Sequence, residues 1–247
     1  MQILITNDDG IRSEGIHVLA REASAFGPVT VAAPEQECSA SSQRITLREE
    51  IIYRSAADFG NGLAADGQIR AFAVKGTPAD CVKIALHVPD IGPARPDLVL
   101  TGINNGLNTG FDIAYSATIG AAMEARMNGI KAIAVSNCLD AGFELIHQYL
   151  HGILEELIAE PAPENAIWNV NFPDLSQASF QGILRDVTIG KMQYIEDKYA
   201  QRTLADGSRA LKAVGCMHKP EDTVPGTDLW AVNHGYICIG KIPCMVL

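Results

Sequence analysis

The first ten residues constrain the fold more than any other stretch of this chain. Residues 3–6 form a short β-branched and aliphatic run with the length and composition of a buried strand. The run stops at Asn7-Asp8-Asp9-Gly10, whose residue types are typical of a turn. Two adjacent carboxylates therefore follow a strand directly, at the edge of an open α/β sheet where ligands bind.

Two interpretations of this acidic pair are open. Neighbouring aspartates repel each other unless a cation lies between them, so Asp8 and Asp9 suggest a hard divalent ion held by oxygen ligands. Alternatively, these residues form an Asx turn that leads into the next helix. The composition of this stretch fits both hypotheses.

The elements after the turn predict a doubly wound, mostly parallel α/β sheet of the Rossmann-like kind. A helix that begins near Ser13 and ends near Gly27 separates the first strand from a second buried strand at residues 29–33. A short helical crossover between two strands predicts that the two strands are parallel neighbours in one sheet. The remaining predicted elements of this part are a hairpin or pair of strands at 45–54 and 70–75, a helix capped by Thr77 that breaks at Pro89, strands at 98–101, 130–136 and 166–173, and helices at 119–127 and 143–157.

The pattern changes towards the C-terminus. Residues 182–217 are more polar and have little helical period, so we predict a β-rich arm that covers the crevice or reaches a neighbouring subunit. A final strand is predicted at 230–239, and the apolar terminus at 242–247 is expected to pack on the core or on a partner. We expect one domain over residues 1–247, with a core at about 1–180.

Composition excludes several partners. The chain is 47% hydrophobic and carries a formal net charge of −10 without a cluster of Lys or Arg, which argues against nucleic-acid polymers and acidic membranes. No leader-like or membrane-spanning apolar run is present, so a cytoplasmic protein is expected. The six scattered cysteines fit unpaired thiols in a reducing compartment better than disulfides or zinc ligands.

Two later loops bring more oxygen-bearing side chains to the same predicted edge. The loop at 34–43 is rich in serine and contains Ser39, and the loop at 102–110 contains Asn104 and Asn108 among glycines. Neither a dinucleotide fingerprint nor a Walker phosphate loop occurs in the chain. Carboxylate, hydroxyl and amide oxygens suit Mg²⁺, Mn²⁺ or Ca²⁺.

A helix start with two hydroxyl side chains is a further candidate. Ser116 and Thr118 open the helix at 119–127, and a helix N-terminus facing the crevice can bind phosphate through free N–H groups and its dipole. Both residues equally fit a simple N-cap. His147 and His151 lie one turn apart on another helix, but without a third ligand or an intervening glutamate we interpret them as a solvated face.

Other classes with an acidic pair after the first strand fit less well. Receiver domains need an acceptor Asp after the third parallel strand, where this chain has Asn104, and haloacid-dehalogenase-type phosphatases need D-x-D, which Asn7-Asp8-Asp9 lacks. A non-catalytic, Mg²⁺-dependent nucleotide-binding or phosphoacceptor module stays open as an alternative.

Six motifs along the chain carry a family resemblance. They are I-L-I-T-N-D-D-G (3–10), A-P-E-Q-E-C-S (33–39), K-G-T-P-A-D-C-V (75–82), T-G-I-N-N-G-L-N-T-G (101–110), Y-S-A-T-I-G-A-A-M-E (115–124) and N-V-N-F-P (169–173). With these motifs the sequence resembles the SurE (survival protein E) family of metal-dependent 5′-nucleotidases. The resemblance covers roughly the first two thirds of the chain, in family order, with a weak extension at G-T-D (226–228). The sequence departs from the family at Cys38, Ala40 and Ala117, which affects the loop conformations.

The resemblance implies a function and roles for the loop residues. It implies hydrolysis of nucleoside 5′-monophosphates, and possible action on 3′-monophosphates, with one divalent ion bound by Asp8, Asp9, Ser39 and Asn104. Asn108, Ser116 and Thr118 match positions around the phosphate, where Asn108 and Ser116 would hold its oxygens. Asp8 would order or deprotonate the attacking water, or attack phosphorus directly. The family's C-terminal part exchanges elements between subunits, which implies a homodimer, with a tetramer as the alternative.

Overall fold

The computed structural model describes residues 1–63, 67–92, 95–176, 178–216 and 218–244. Eleven strands and five α-helices lie in these ranges. In chain order they are β1 (Ile3–Thr6), α1 (Glu14–Ser24), β2 (Val29–Pro34), β3 (Ile52–Ser55), β4 (Ile69–Lys75), α2 (Pro78–His87), β5 (Leu98–Asn105), α3 (Ala117–Met127), β6 (Lys131–Asn137), α4 (Glu144–Ala159), β7 (Ala166–Phe172), β8 (Gly182–Val187), β9 (Tyr199–Thr203), β10 (Arg209–Ala213), α5 (Asp228–Asn233) and β11 (Tyr236–Pro243).

Nine of these strands form one sheet in the order β3-β4-β2-β1-β5-β6-β7-β11-β8. The six strands from β4 to β7 are parallel to one another. The chain moves from β1 to β2 on one side and later continues from β5 to β7 on the other, so strand order reverses between β1 and β5. The predicted doubly wound, mostly parallel sheet is confirmed, and its topological switch point lies at the end of β1.

The helices cover both faces of the sheet, which explains why its central strands are apolar throughout. Ile3 and Ile5 pack with α1 and α4 on one face, whereas Leu4 packs with α2 and α3 on the other. All four residues of β1 are buried. A strand buried on both faces reads as a continuous hydrophobic run, as the sequence of β1 does.

Several predicted element ends are confirmed. Thr77 caps α2, with its hydroxyl accepting from the Asp80 N–H at 3.2 Å and the Asp80 carboxylate accepting from the Thr77 N–H at 2.9 Å. Pro78 occupies the first turn of this helix. The predicted pairing of the two early β-rich runs is also correct, because β3 and β4 are antiparallel neighbours.

The predicted end of the strand that begins at Leu98 is wrong. We expected a polar loop from Gly102, but β5 continues to Asn105 with a register shift against β6 between Thr101 and Asn104. This irregularity requires glycine, because Gly102 has φ +127° and a Cβ there would lie 2.1 Å from the Val135 carbonyl oxygen. The bulge directly precedes Asn104, which lies near the carboxyl end of β5.

Two predictions for the C-terminal region need correction. The arm does not leave the sheet at once, because β8 pairs in parallel with β11; β9 and β10 then form a separate antiparallel pair. The predicted strand at 230–239 begins with a helix, because the Thr227 hydroxyl accepts from the Trp230 N–H and starts α5. Ile242 and Cys244 are buried, and residues 245–247 lie outside the described residues.

None of the helices in the described ranges is long and apolar enough to cross a membrane.

Candidate active site

The reversal of strand order brings the loops after β1, β2 and β5 to one edge. β1 and β5 are parallel neighbours with Thr6 opposite Thr101, so Asp8 and Asp9 come level with the Asn104 region. The loop after β2 is attached to the same point, because the Cys38 N–H donates to the Asp8 carbonyl oxygen at 2.7 Å. This edge therefore gathers residues that are far apart in the sequence.

The Asp8 side chain points inward. It is 3% exposed, and its carboxylate accepts a short hydrogen bond from the hydroxyl of Thr118 in the first turn of α3. Thr118 is itself fully buried. The Thr118 hydroxyl thus contacts the Asp8 carboxylate. The family resemblance had placed Thr118 near the phosphate and had not predicted this contact.

Asp9 and Asn104 lie at the mouth of the same edge and are half-buried. The Asn105 N–H donates to the Asp9 carboxylate at 3.0 Å, which ties the acidic turn to β5. The Asn104 amide nitrogen donates to the Gly106 carbonyl at 2.7 Å. That bond fixes the amide orientation and leaves its oxygen available as a ligand.

Ser39 is exposed, and its hydroxyl donates to the Glu37 carboxylate at 2.7 Å. Glu37 is an addition to the site, because the sequence analysis gave it no role. The charge of Glu37 raises the pKa values of both Asp8 and Asp9. The sequence signal for Glu37 was its position two residues before the candidate ligand Ser39.

The acidic group is electrostatically unbalanced. Burial raises the pKa of Asp8 to about 6, with the charges of Asp9 and Glu37 adding to the shift and the Thr118 hydrogen bond opposing it. Burial likewise raises the pKa of Asp9, and the charge of Glu37 adds to this effect. None of the groups that shift these two pKa values is a cation.

The donor set fits a hard divalent ion. Two carboxylates and the loops that carry the Ser39 hydroxyl and the Asn104 amide lie at this edge, and no cation is among the groups that shift the pKa values of the two aspartates. Oxygen ligands of these kinds are preferred by Mg²⁺ and Mn²⁺. Within the described part of the chain, no group of three or more His, Cys, Asp or Glu side chains is arranged to hold a metal. A metal ion at this edge would therefore need the neutral oxygens of Ser39 and Asn104 as well as the two aspartates.

Ser116 is the N-cap of α3, with its hydroxyl accepting from the Ile119 N–H at 3.1 Å. The capping interpretation of Ser116 is confirmed. Only one residue separates it from Thr118, so the start of α3 adjoins the buried carboxylate of Asp8. This position is compatible with an anion held at the helix N-terminus.

Asn108 is held from both sides of its backbone. Its N–H donates to the Asn171 side-chain oxygen at 2.8 Å, and its carbonyl accepts from the side-chain amides of Asn169 at 2.8 Å and Asn171 at 3.3 Å. The Asn108 amide nitrogen donates to the Ser136 hydroxyl at 2.7 Å. Asn169 and Asn171 therefore support Asn108, a role that the sequence analysis missed although both lie in a quoted motif.

The candidate residues therefore form two groups, which we call the acidic half and the amide half of the site. Asp8, Asp9, Asn104 and the Ser39 loop meet around the end of β1, whereas Asn108 lies at the ends of β6 and β7. Within the described ranges, no hydrogen bond joins Asn108 or Ser116 directly to the aspartates. A ligand spanning the two groups would complete the site.

Comparisons with known proteins agree with this geometry. The family model described as "Survival protein SurE" matches residues 3–196. The chain belongs to the SurE family.

Several named relatives cover nearly the whole SurE chain. The "5'-nucleotidase SurE" of Clostridium botulinum (strain Kyoto / Type A2) is 35% identical over 243 residues, which are 97% of this chain and 91% of the relative. The protein of the same name from Thermoanaerobacter sp. (strain X514) is 36% identical over 244 residues, 98% of this chain and 92% of the relative.

A solved structure supports the fold of this SurE family member. The SurE protein from Aquifex aeolicus has a TM-score of 0.79 and 30% sequence identity, and the match covers 99% of this chain and 94% of that one. The α/β architecture predicted from the sequence is thus shared with a family structure over almost its entire length.

Proposed function

We propose that this protein is a metal-dependent 5′-nucleotidase that converts nucleoside 5′-monophosphates to nucleoside and phosphate. The observation that carries the proposal is the acidic pair at the switch point between β1 and β5: Asp8 is buried, Asp9 is half-buried, and no cation is among the groups that shift the pKa of either. Membership of a family whose relatives are named 5'-nucleotidase supports it.

The proposed metal ligands are Asp8, Asp9, Ser39 and Asn104. A divalent ion such as Mg²⁺ or Mn²⁺ bound there would polarise a phosphoryl oxygen as a Lewis acid. The two carboxylates and two neutral oxygens match the preference of such ions for oxygen ligands. The Glu37 carboxylate accepts from Ser39 and so orients that hydroxyl.

Asp8 is the proposed group that orders and deprotonates the attacking water. Thr118 donates to its carboxylate and fixes its orientation. The water oxygen bonds to phosphorus while the ester P–O bond breaks, and Asp8 accepts the proton from the water. The departing alkoxide takes its proton from solvent.

Asn108 and the start of α3 at Ser116 are the proposed holders of the remaining phosphate oxygens. Hydrogen-bond donors that are already oriented stabilise the charge that develops on those oxygens without further rearrangement. Asn169 and Asn171 supply that orientation for Asn108 by fixing its backbone. Thr118 adjoins the phosphate position but acts through Asp8.

Phosphate release from AMP, measured with and without Mn²⁺, tests the proposed activity. We expect turnover that disappears with EDTA and returns with Mn²⁺ or Mg²⁺. AMP binding without phosphate release would instead identify a non-catalytic nucleotide-binding module, and the activity proposal would be wrong.

We also propose a cytoplasmic homodimer formed through the C-terminal arm. The β9–β10 pair exposes apolar side chains, with Tyr199 62% and Leu211 64% exposed, as an interface would. All six cysteines are unpaired, as expected of a reducing compartment. Light scattering on the full chain should give the mass of a dimer, and that of Leu211→Lys a monomer; a monomeric unaltered chain would refute the dimer.

A further inference from the structure

A cavity of about 330 Å³ adjoins the proposed metal ligands. It lies between the loop after β1 and the loop after β6, above the end of β5. Asp9 and Asn104 both contribute to its wall. Its volume falls in the range of small-molecule sites, roughly 300–1,000 Å³.

The wall of this cavity opposite Asp9 is fixed in place. The Asn137 amide nitrogen donates to the Ala141 and Gly142 carbonyls, each at 3.1 Å, and so holds the loop after β6. The Asp140 N–H donates to the Asn105 side-chain oxygen at 2.9 Å, which joins this loop to β5. The cavity is therefore a formed feature of the fold.

Two side chains give the cavity its recognition chemistry. Phe143 is half-buried, with part of its ring packed on the core and the rest lining the cavity. Aromatic faces stack with nucleobases of any sequence. Asp140 supplies an exposed carboxylate on the same wall, and an acidic side chain can accept hydrogen bonds from the hydroxyls of a ribose.

We propose that this cavity binds the nucleoside half of the substrate, with Phe143 stacking on the base and Asp140 accepting from the ribose hydroxyls. The inference rests on the proposed function and deepens it. It assigns ribonucleotides, rather than deoxyribonucleotides or simple phosphate esters, as the preferred substrate class.

A second, larger cavity of about 760 Å³ lies on the other side of the loop after β1 and is a weaker candidate. Its wall includes His17, Phe59 and Arg54 but none of the seven candidate site residues. The Arg54 guanidinium is already paired with Glu35. A nucleoside there would have no contact with a proposed metal ligand.

The variant Phe143→Leu tests the stacking contact. We expect its KM for AMP to rise about five- to twentyfold, as expected from the loss of one base-stacking contact. Its kcat for AMP and its KM for glycerol 2-phosphate, which has no base, should stay within about twofold. Phe180→Leu is the matched control, since Phe180 is also a half-buried ring on the same core but lies away from the cavity.

The variant Asp140→Asn tests the ribose contact. Asp140 has φ +55°, which asparagine tolerates, so this change removes the charge without straining the loop. The preference of the unaltered chain for AMP over dAMP should fall towards one. Asp186→Asn is the control, because Asp186 has a similar φ of +53° and lies outside the cavity.

The outcomes separate this inference from the activity. If Phe143→Leu and Asp140→Asn hydrolyse AMP, dAMP and glycerol 2-phosphate like the unaltered chain, the cavity assignment is wrong and the phosphatase activity stands. If the unaltered chain hydrolyses none of them, the proposed function fails. Calorimetric binding of adenosine then decides about the cavity: weaker binding by Phe143→Leu supports it, whereas equal or no binding overturns it.

Discussion

The acidic half of the candidate site differs from its amide half in how the polar groups are satisfied. Asp8 and Asp9 lie beside Glu37, and no cation contributes to their pKa shifts. In the amide half, the backbone N–H, carbonyl and side-chain nitrogen of Asn108 all have hydrogen-bond partners. A cation would offset the negative charge of the first half, whereas the second half is held by its own hydrogen bonds.

Because of this difference, we expect the acidic half to contribute mainly to activity and the amide half to contribute to both stability and activity. A buried carboxylate without a counter-ion destabilises the fold and strengthens cation binding, so its removal should reduce activity more than stability. Hydrogen bonds to the backbone and side-chain nitrogen of Asn108 stabilise the fold, so their disruption should reduce both. The following variants test this contrast in order of decreasing effect.

Asp8→Asn should have the largest effect on activity. We expect turnover of AMP to fall at least about a hundredfold, the lower end of the range for losing a general base. The metal-free variant should unfold at the same or a higher temperature, because burial raises the pKa of Asp8 and so disfavours its charged form in the folded state. Steady-state kinetics and calorimetry measure both; near-normal turnover would refute the role of Asp8.

Asn171→Ala should reduce stability and activity together. It leaves the buried N–H of Asn108 without a partner, at a cost of about 1–3 kcal/mol in the free energy of unfolding. Asn169→Ala should cost less, because Asn171 still donates to the Asn108 carbonyl. Urea unfolding at fixed metal concentration gives these values.

A double-mutant cycle with Asn108→Ala identifies how Asn171 acts. If Asn171 positions the Asn108 side chain, Asn171→Ala should reduce kcat/KM in the unaltered chain but hardly at all in the Asn108→Ala background. Equal reductions in both backgrounds would mean that Asn171 supports only the fold. Asn128→Ala, which removes an amide bonded to Glu124 elsewhere on α3, should leave kcat/KM unchanged.

Ser39→Ala should weaken Mn²⁺ binding at least about tenfold, since changes to the outer-shell partners of metal ligands already cost about 10–100-fold in affinity. The loss of stability should be small, because Ser39 is exposed. Calorimetric titration with Mn²⁺ measures the affinity. An unchanged dissociation constant would count against Ser39 as a ligand.

Glu37→Gln should have a smaller effect than Asp8→Asn, Asn171→Ala or Ser39→Ala. It removes a negative charge that acts on Asp8 and Asp9, so Mn²⁺ affinity should fall about two- to threefold at low salt and less at high salt, where exposed charges are screened. Titrations at two ionic strengths measure the difference. A fall that does not depend on salt would mean that Glu37 contacts the metal directly.

The acidic half could be predicted from the sequence because its signals are local. An aliphatic run ending in Asn7-Asp8-Asp9-Gly10 shows the strand, the turn and the acids together, and the family motifs add Ser39 and Asn104. The cap at Thr77 is similarly local, since Thr-Pro at a helix start has one common structure. At these positions, neighbouring residues in the sequence were enough to predict the local structure.

The amide half depends on contacts between residues about 60 positions apart, so the sequence could not reveal it. Asn169 and Asn171 lie two apart on a buried strand, and polar side chains in such a strand need partners, but the sequence does not identify them. The helix at Asp228–Asn233 is a different failure. Thr227 caps this helix, but the sequence analysis assigned Thr227 no cap and predicted a strand from Trp230.

The central claim is that the carboxylates at the end of β1 hold a divalent ion. Anomalous diffraction from crystals soaked in Mn²⁺ and AMP tests it most directly. The account predicts one strong peak within ligand distance of the oxygens of Asp8, Asp9, Ser39 and Asn104. A chain that hydrolyses AMP while showing no peak at these residues would contradict it.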